Sequence, residues 1–218
     1  MALYLGIDAS TQSVKAIVIN GESIIAEASV NFGKDLPGYG SINGFLPDDD
    51  PRICRANPQM WVDALNLALE RLADSGTNLA EVKGISGSGQ QHGSVYLDKD
   101  FCFSRATSPI WMDRSTHAEC CELDTQFGNR IQSDTGSPPI ERFTGPQIRK
   151  FFKDDPVAYG KTEHIHLVSS FLCSVLIGKS APVDYGDGAG MNLLNLKTLD
   201  WDPELAEFTA PGLLKKLP

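Results

Sequence analysis

The chain opens, over residues 3–30, with LYLGIDASTQSVKAIVINGESIIAEASV, and this stretch decides the fold. Three apolar runs in it each have the length of a β-strand. Asn20-Gly21, between the second run and the third, suits a two-residue hairpin turn that needs positive φ. The sequence therefore predicts three antiparallel strands, at residues 3–7, 14–19 and 23–30.

The turn between the first two strands combines a carboxylate with a row of hydroxyl groups. Backbone N–H groups and hydroxyls in such a turn can donate hydrogen bonds to phosphate oxygens, and a carboxylate can hold a divalent cation through its water shell. We therefore expect the turn to bind the phosphates of a nucleotide, although the same residue types also satisfy the backbone of an ordinary turn. The phosphate-binding candidates are Ser10, Thr11, Gln12, Ser13 and Lys15, and the candidate for the cation is Asp8.

Composition places the chain among globular proteins. Of its 218 residues, 41% are hydrophobic, which is enough for a core, and the net charge of -9 argues against a nucleic-acid or anionic-membrane partner. The five cysteines show neither the spacing of a zinc site nor an even disulfide framework, so they fit a reducing cytoplasm. No stretch approaches the length of a membrane span, and nothing near Met1 resembles a signal peptide. We predict a cytoplasmic protein.

The segments that follow the hairpin predict an α/β fold. Asn57 and Pro58 begin a helix whose apolar residues recur every three or four positions. A strand at 82–86 then leads into a glycine-rich loop at 87–93, which is not a dinucleotide fingerprint because His92 stands where the last glycine belongs. Three antiparallel strands followed by helix, strand, helix and strand is the order of an actin-like, ribonuclease-H-like domain. Such a domain has a mixed sheet with helices on both faces.

Further predictions concern the second half of the chain. Residues 108–114 are predicted as a strand and residues 182–191 as a loop. The helix that follows the strand is expected to turn Cys120 and Cys121 inward. The run 167–177 is apolar on all sides, so we expect a buried helix there.

Four segments, in order and with matching spacing, resemble the FGGY group of sugar kinases. Asp8–Lys15 resembles the family's D-x-G-T-x-x-x-K, and Gly89–Gly93 resembles its G-Q-x-H-G loop. Ile110–Arg114 resembles its I-L-W-x-D segment, and Asp184–Gly190 its D-x-x-D-x-x-G hairpin. Ser10 stands where the common pattern has glycine, and in this the chain resembles the animal-type xylulose kinases within the family.

This resemblance implies a two-domain enzyme that uses ATP and Mg²⁺ to phosphorylate a ketopentose, with D-xylulose, converted to D-xylulose 5-phosphate, as the expected substrate. Residues 1–218 are then expected to be the N-terminal, sugar-binding domain. The catalytic base and most of the adenosine pocket are expected beyond Pro218, so that these residues alone are inactive. The expected partners are a sugar and ATP, and the resemblance allows a homodimer of the full-length protein.

The family's motifs also imply sugar contacts, namely His92, Gln91 and Arg142, with Trp111 as the pocket floor and Asp113 as its anchor. A ketopentose is a row of hydroxyls, so its pocket needs fixed donors and acceptors rather than charge. The alternatives are a structural histidine, a core tryptophan and a surface ion pair for the arginine. The function has alternatives as well: a kinase for ribulose, glycerol or gluconate, or a sugar-binding module without transfer chemistry.

Overall fold

The three antiparallel strands predicted at the start of the chain are confirmed in the computed structural model, which describes residues 2–218. The chain divides into unit 1, with Met1–Pro47 and Ala56–Gln90, and unit 2, with Asp48–Arg55 and Gln91–Pro218. Up to residue 90 the elements are β1 (Leu3–Ala9), β2 (Ser13–Asn20), β3 (Ser23–Asn31), α1 (Phe32–Asp35), β4 (Arg55–Ala56), α2 (Pro58–Asp74) and β5 (Val82–Gly89). The remainder contains β6 (Ser94–Leu97), β7 (Ser108–Pro109), α3 (His117–Phe127), α4 (Asn129–Thr135), α5 (Thr144–Asp154), α6 (Pro156–Lys161), β8 (His164–Leu167), α7 (Val168–Ile177), α8 (Tyr185–Ala189), β9 (Leu194–Asn195), β10 (Asp200–Trp201) and α9 (Pro203–Thr209).

The long strands of unit 1 form one mixed sheet in the order β3-β2-β1-β5, in which only β5 runs parallel to its neighbour. β5 is longer than predicted, since it continues through Gly87 to Gly89. A Cβ atom at Gly87 would lie 3.1 Å from the carbonyl oxygen of Ile7 on β1, so glycine permits the close approach of the two strands. The loop predicted at 87–93 therefore begins only after β5 ends.

One face of this sheet is covered by α2, as the spacing of its apolar residues predicts. Asn57 caps the helix by accepting a hydrogen bond from the N–H of Gln59, and Trp61 on its inner face is fully buried. The sequence predicts helices on both faces. Within unit 1, as far as residues 2–218 describe it, the second face carries the exposed side chains of Tyr4 and Asp8, which alternate along β1 with buried Leu5 and Ile7.

Unit 2 has its own core of aromatic and aliphatic side chains, supplied by its helices and by the antiparallel pair β6 and β8. The ring centroid of Phe151 on α5 lies 4.7 Å from that of Tyr96 and 6.1 Å from that of Tyr159, with interplanar angles of 61° and 78°. Along the described residues, 2–218, no helix has the length and apolar character needed to cross a membrane.

Two predicted segments of unit 2 differ from the structure. Only β7 at the start of the predicted strand 108–114 is extended, because the N–H of Asp113 donates to the carbonyl oxygen of Ile110 and closes a turn. The predicted loop 182–191 contains α8, because the Asp184 side chain accepts hydrogen bonds from two N–H groups of the first turn and caps a short helix.

Two predictions of burial are wrong in part. Val175, Leu176 and Ile177 are exposed at the C-terminal end of α7, although the first half of that helix is largely buried. On α3, Cys120 is buried but Cys121 is exposed. Apolar composition alone does not tell which residues of a helix pack on a core and which face solvent.

A buried histidine on β8 makes stability depend on pH. His166 Nδ1 lies 3.3 Å from the hydroxyl of Ser170, Nε2 lies 3.2 Å from that of Ser180, and burial lowers the pKa of the imidazole to about 4. In the unfolded chain a histidine titrates near pH ~6.5, so the unfolded state takes up the proton first as the pH falls. From this group alone we expect the free energy of unfolding to drop by about 2 kcal/mol between neutral pH and pH ~5.

Urea unfolding at the two pH values measures this loss. His166→Gln keeps a hydrogen-bonding side chain but cannot take up a proton, so it is expected to lack this part of the pH dependence. Both proteins retain the other histidines, and the difference between them isolates His166. The same drop in wild type and variant would contradict the prediction.

Candidate functional site

A row of polar residues crosses the open face of the sheet in unit 1. Lys15 on β2 is the register partner of Asp8 on β1 and of Ser29 on β3, and Ser88 on β5 is the partner of Asp8 on its other side. The Ser88 hydroxyl donates a hydrogen bond of 2.8 Å to Asp8 Oδ1. A carboxylate, an ammonium group and two hydroxyls therefore lie on neighbouring strands at one level of the sheet.

The turn that joins β1 to β2 is closed by its own serines. The N–H of Ser10 donates to the carbonyl oxygen of Ser13 at 2.9 Å, and the Ser10 hydroxyl lies 3.1 Å from the same oxygen. The side chain that departs from the glycine of the family pattern thus closes the turn. Gln12 and Lys15, two other predicted phosphate contacts, are exposed, and Thr11 is half-buried.

A second loop supports this turn through Gly44. Its φ is +91°, and a Cβ atom there would lie 1.8 Å from the carbonyl oxygen of Thr11 and 2.7 Å from the carbonyl carbon. No side chain fits in this space, so the backbone of the loop rests directly on the turn. No pattern in the sequence predicts this contact, because residues 31–56 have only the composition of an irregular connection.

The polar row borders a surface cavity of about 670 Å³ in unit 1. Asp8, Lys15, Glu27 and Ser29 contribute to its wall beside apolar residues. A volume of this order is typical of small-molecule sites. Unit 1 therefore offers space for a ligand next to the carboxylate and the ammonium group.

His92, in unit 2, is held as a neutral hydrogen-bond acceptor. Its Nδ1 lies 2.9 Å from the carbonyl oxygen of Gly190 and must donate the proton in this bond, because a carbonyl can only accept. Burial lowers the pKa of the imidazole, and the charge of Arg142 lowers it further, while the bond to Gly190 opposes both. With Nδ1 protonated, Nε2 carries a lone pair that can accept a hydrogen bond from a ligand hydroxyl.

Two elements fix this imidazole in place. Its ring lies 5.0 Å from the ring of Phe143, at the start of α5, and a Cβ atom at Gly190 would lie 2.9 Å from its Cε1. Arg142 is exposed, with its guanidinium 5.7 Å from the Phe143 ring, and within residues 2–218 no carboxylate forms an ion pair with it. The structure therefore brings two predicted sugar contacts, His92 and Arg142, to the same aromatic ring. The sequence did not single out Phe143 for this role.

Asp113 is an anchor inside unit 2. It is fully buried, and its carboxylate accepts hydrogen bonds of 2.7 to 3.0 Å from the N–H of Cys54, from the N–H and hydroxyl of Ser115 and from the side chain of Gln147. These bonds tie three separate segments of the unit together.

Trp111, two residues before Asp113, is 43% exposed, so the alternative that it belongs to the core is wrong.

The two glutamines that precede His92, Gln90 and Gln91, have opposite environments. Gln91, the predicted sugar contact, is exposed. Gln90 is buried, and neither amide atom of its side chain has a hydrogen-bond partner within residues 2–218. A buried amide without partners costs free energy, so Gln90 is a further candidate for contact with a ligand.

A magnesium ion fits Asp8, near the end of β1, although no group of three or more His, Cys, Asp or Glu side chains suited to a metal occurs within residues 2–218. Mg²⁺ in nucleotide sites keeps several waters and takes only one or two protein carboxylates besides the phosphates. The exposed carboxylate of Asp8, oriented by Ser88, meets that requirement.

Known proteins resemble the chain over almost its whole length. The family model described as "FGGY family of carbohydrate kinases, N-terminal domain" matches residues 3–218. Xylulose kinase of Rattus norvegicus is 40% identical over 235 residues, an alignment that covers 98% of this chain and 44% of the rat protein. The chain thus spans less than half the length of this relative.

Solved structures share the fold. A xyloylose kinase from Brucella ovis superposes with a TM-score of 0.86 at 24% identity, covering 99% of this chain and 42% of that one. A gluconate kinase from Lactobacillus acidophilus gives a TM-score of 0.82 at 20% identity, with the same coverage of 99% and 42%. At these identities the likeness concerns the fold alone, and it confirms the predicted α/β, actin-like class.

Proposed function

Because the chain belongs to the FGGY family of carbohydrate kinases, whose N-terminal domain it matches, we propose that it is the sugar-binding part of an ATP-dependent kinase for D-xylulose. The product is then D-xylulose 5-phosphate. The 40% identity to rat xylulose kinase supports this choice of sugar. The base that accepts the sugar proton and most of the adenosine pocket belong, in this proposal, to a second domain outside these 218 residues.

The observation that carries the proposal is the fixed, neutral imidazole of His92. A ketopentose presents hydroxyl groups along its whole length, and Nε2 of a neutral imidazole can accept a hydrogen bond from one of them. Arg142, at the same aromatic ring, can donate to the sugar oxygens. The pair thus supplies one acceptor and several donors in a small space.

We also propose that the turn between β1 and β2 binds the phosphates of ATP. Lys15 and the turn backbone supply positive charge and donors, and Asp8 would hold Mg²⁺ beside the phosphates. The ion, when bound, neutralises charge on the phosphate oxygens. Positioning and charge neutralisation are the protein's main contributions to phosphoryl transfer, so these groups have the chemistry that the reaction requires.

A cytoplasmic location is likewise our proposal. The five cysteines are all free thiols in the structure, a state that a reducing compartment maintains. A homodimer of the full-length protein also stays a prediction.

Replacing His92 with alanine tests the assignment of the sugar site. A sugar hydroxyl left without its acceptor in a buried site costs about 1.5–3 kcal/mol, so we expect the KM for D-xylulose to rise by about 10- to 100-fold. The KM for ATP is expected to stay unchanged. Steady-state kinetics of the full-length protein, with each substrate varied in turn, measure both values.

His164→Ala is the matched control. This histidine stacks on Phe101, with ring centroids 4.8 Å apart, and takes no part in the proposed site. We expect its replacement to leave both KM values near those of the wild type. The proposal for the sugar site fails if His92→Ala binds D-xylulose as the wild type does, or if both variants lose affinity equally.

A further inference from the structure

A cysteine, a histidine and a glutamate form a line of contacts on the surface of unit 2, and the proposed function uses none of them. His117 Nε2 lies 3.7 Å from the sulfur of Cys121, one helical turn further along α3. His117 Nδ1 lies 3.3 Å from a carboxylate oxygen of Glu141. Cys121 and His117 are both exposed, so reagents in solution can reach the thiol.

The contact with Glu141 determines how the neutral imidazole is oriented. A carboxylate can only accept a hydrogen bond, so Nδ1 of His117 carries the proton and the lone pair of Nε2 faces the thiol. A nucleophile next to a base that a third group orients is the arrangement that activates weak nucleophiles. The imidazole can therefore take the proton of the Cys121 thiol and leave a thiolate, which is the reactive form.

Glu141 is itself held in place by the surrounding structure. Its carbonyl oxygen accepts a hydrogen bond of 2.6 Å from the hydroxyl of Thr116 and one of 3.1 Å from the side chain of Gln147. Both donors belong to buried residues. The carboxylate thus extends from a fixed stretch of backbone toward His117.

We propose that Cys121, activated by His117 and Glu141, is a modification site that forms mixed disulfides with small-molecule disulfides such as oxidised glutathione. In this step the Cys121 thiolate attacks one sulfur of the disulfide, and the new S–S bond forms as the old one breaks. The departing thiolate takes the proton that His117 holds. Cys121 is oxidised, one half of the small disulfide is reduced to a thiol, and no other oxidant takes part.

The environments of the other four cysteines predict that modification is selective for Cys121. Cys54 and Cys120 are buried, and burial raises the pKa of both thiols, that of Cys120 to about 12, so they stay protonated. Cys102 and Cys173 are exposed, but within residues 2–218 neither sulfur contacts a histidine. These two exposed thiols serve as controls within the same molecule.

The test is peptide mass spectrometry of the full-length protein after brief exposure to oxidised glutathione at neutral pH. An ordinary thiol is only a few per cent thiolate at pH ~7, so we expect Cys121 to react about tenfold faster than Cys102 and Cys173. His117→Ala is expected to lower the rate at Cys121 to that of the two controls. Glu141→Gln is expected to give an intermediate rate.

Iodoacetamide, which alkylates thiolates directly, provides a second measure of the same rates. His117 is exposed, so alanine is expected to leave the fold intact, which circular dichroism verifies. Equal rates at Cys121, Cys102 and Cys173 in the wild type would overturn the proposal. So would a rate at Cys121 that is unchanged in both His117→Ala and Glu141→Gln.

Discussion

Replacing Asp8 with asparagine is expected to slow phosphoryl transfer by about 1000-fold in kcat, while the affinity for D-xylulose persists. The carboxylate is the group proposed to hold Mg²⁺ through water, and an amide lacks the charge for this. Stabilising the charge of a transferring phosphoryl group contributes several kcal/mol, and about 4 kcal/mol corresponds to such a loss of rate.

The effect of Asp8→Asn is measured as kcat at saturating D-xylulose and ATP, with sugar affinity from calorimetry. Asparagine can still accept the hydrogen bond from the Ser88 hydroxyl, so the pairing of β1 with β5 is expected to persist. Asp100→Asn removes an exposed carboxylate, paired with Lys99, that lies outside the proposed sites, and it is expected to keep the wild-type kcat. A kcat for Asp8→Asn close to the wild-type value would contradict the proposal that Asp8 takes part in phosphoryl transfer.

Replacing Gly44 with alanine is expected to lower the free energy of unfolding by about 2–5 kcal/mol. The φ of +91° strains any residue with a side chain, at a cost of about 1–2 kcal/mol. In addition, a Cβ atom 1.8 Å from the carbonyl oxygen of Thr11 must displace backbone, which adds about 1–3 kcal/mol. Since the displaced backbone belongs to the proposed phosphate turn, the affinity for ATP is expected to fall as well.

Gly40→Ala separates the two causes. Gly40 also has a positive φ, of +64°, but a Cβ atom there meets no heavy atom within 4 Å, so only the backbone strain applies. We expect a loss of about 1 kcal/mol from this variant, with no change in ATP affinity. Urea unfolding of both variants measures the difference. Equal losses would show that the contact with Thr11 does not decide the effect at Gly44.

The fold of unit 1 was predictable because its signals are local. Apolar runs and the Asn20-Gly21 turn predict the hairpins from adjacent residues alone. The extent of β5 was not predictable in this way. Glycine is typical of loops, and Gly87 becomes part of a strand only because β1 lies beside it. The exposed end of α7 shows the same limit, because residues far away in sequence determine which side chains of a helix are buried.

In the candidate site, too, some residues were predictable from the sequence and others were not. Motifs pointed to His92 and Arg142, and the structure brings them together at Phe143. The support for His92 comes from Gly190, 98 residues away, and that for the phosphate turn comes from Gly44, whose own segment carries no motif. Such contacts appear only after the chain has folded, so the sequence names the reactive groups more readily than the residues that hold them.

The most direct test of the central claim, that this chain is the sugar-binding domain of a D-xylulose kinase, is a comparison of substrates. The full-length protein is assayed with ATP and, in separate reactions, D-xylulose, D-ribulose, D-gluconate and glycerol. We expect the highest kcat/KM with D-xylulose, and D-xylulose 5-phosphate as the product. Failure to phosphorylate any of the four, or a higher kcat/KM with another of them, would contradict the claim.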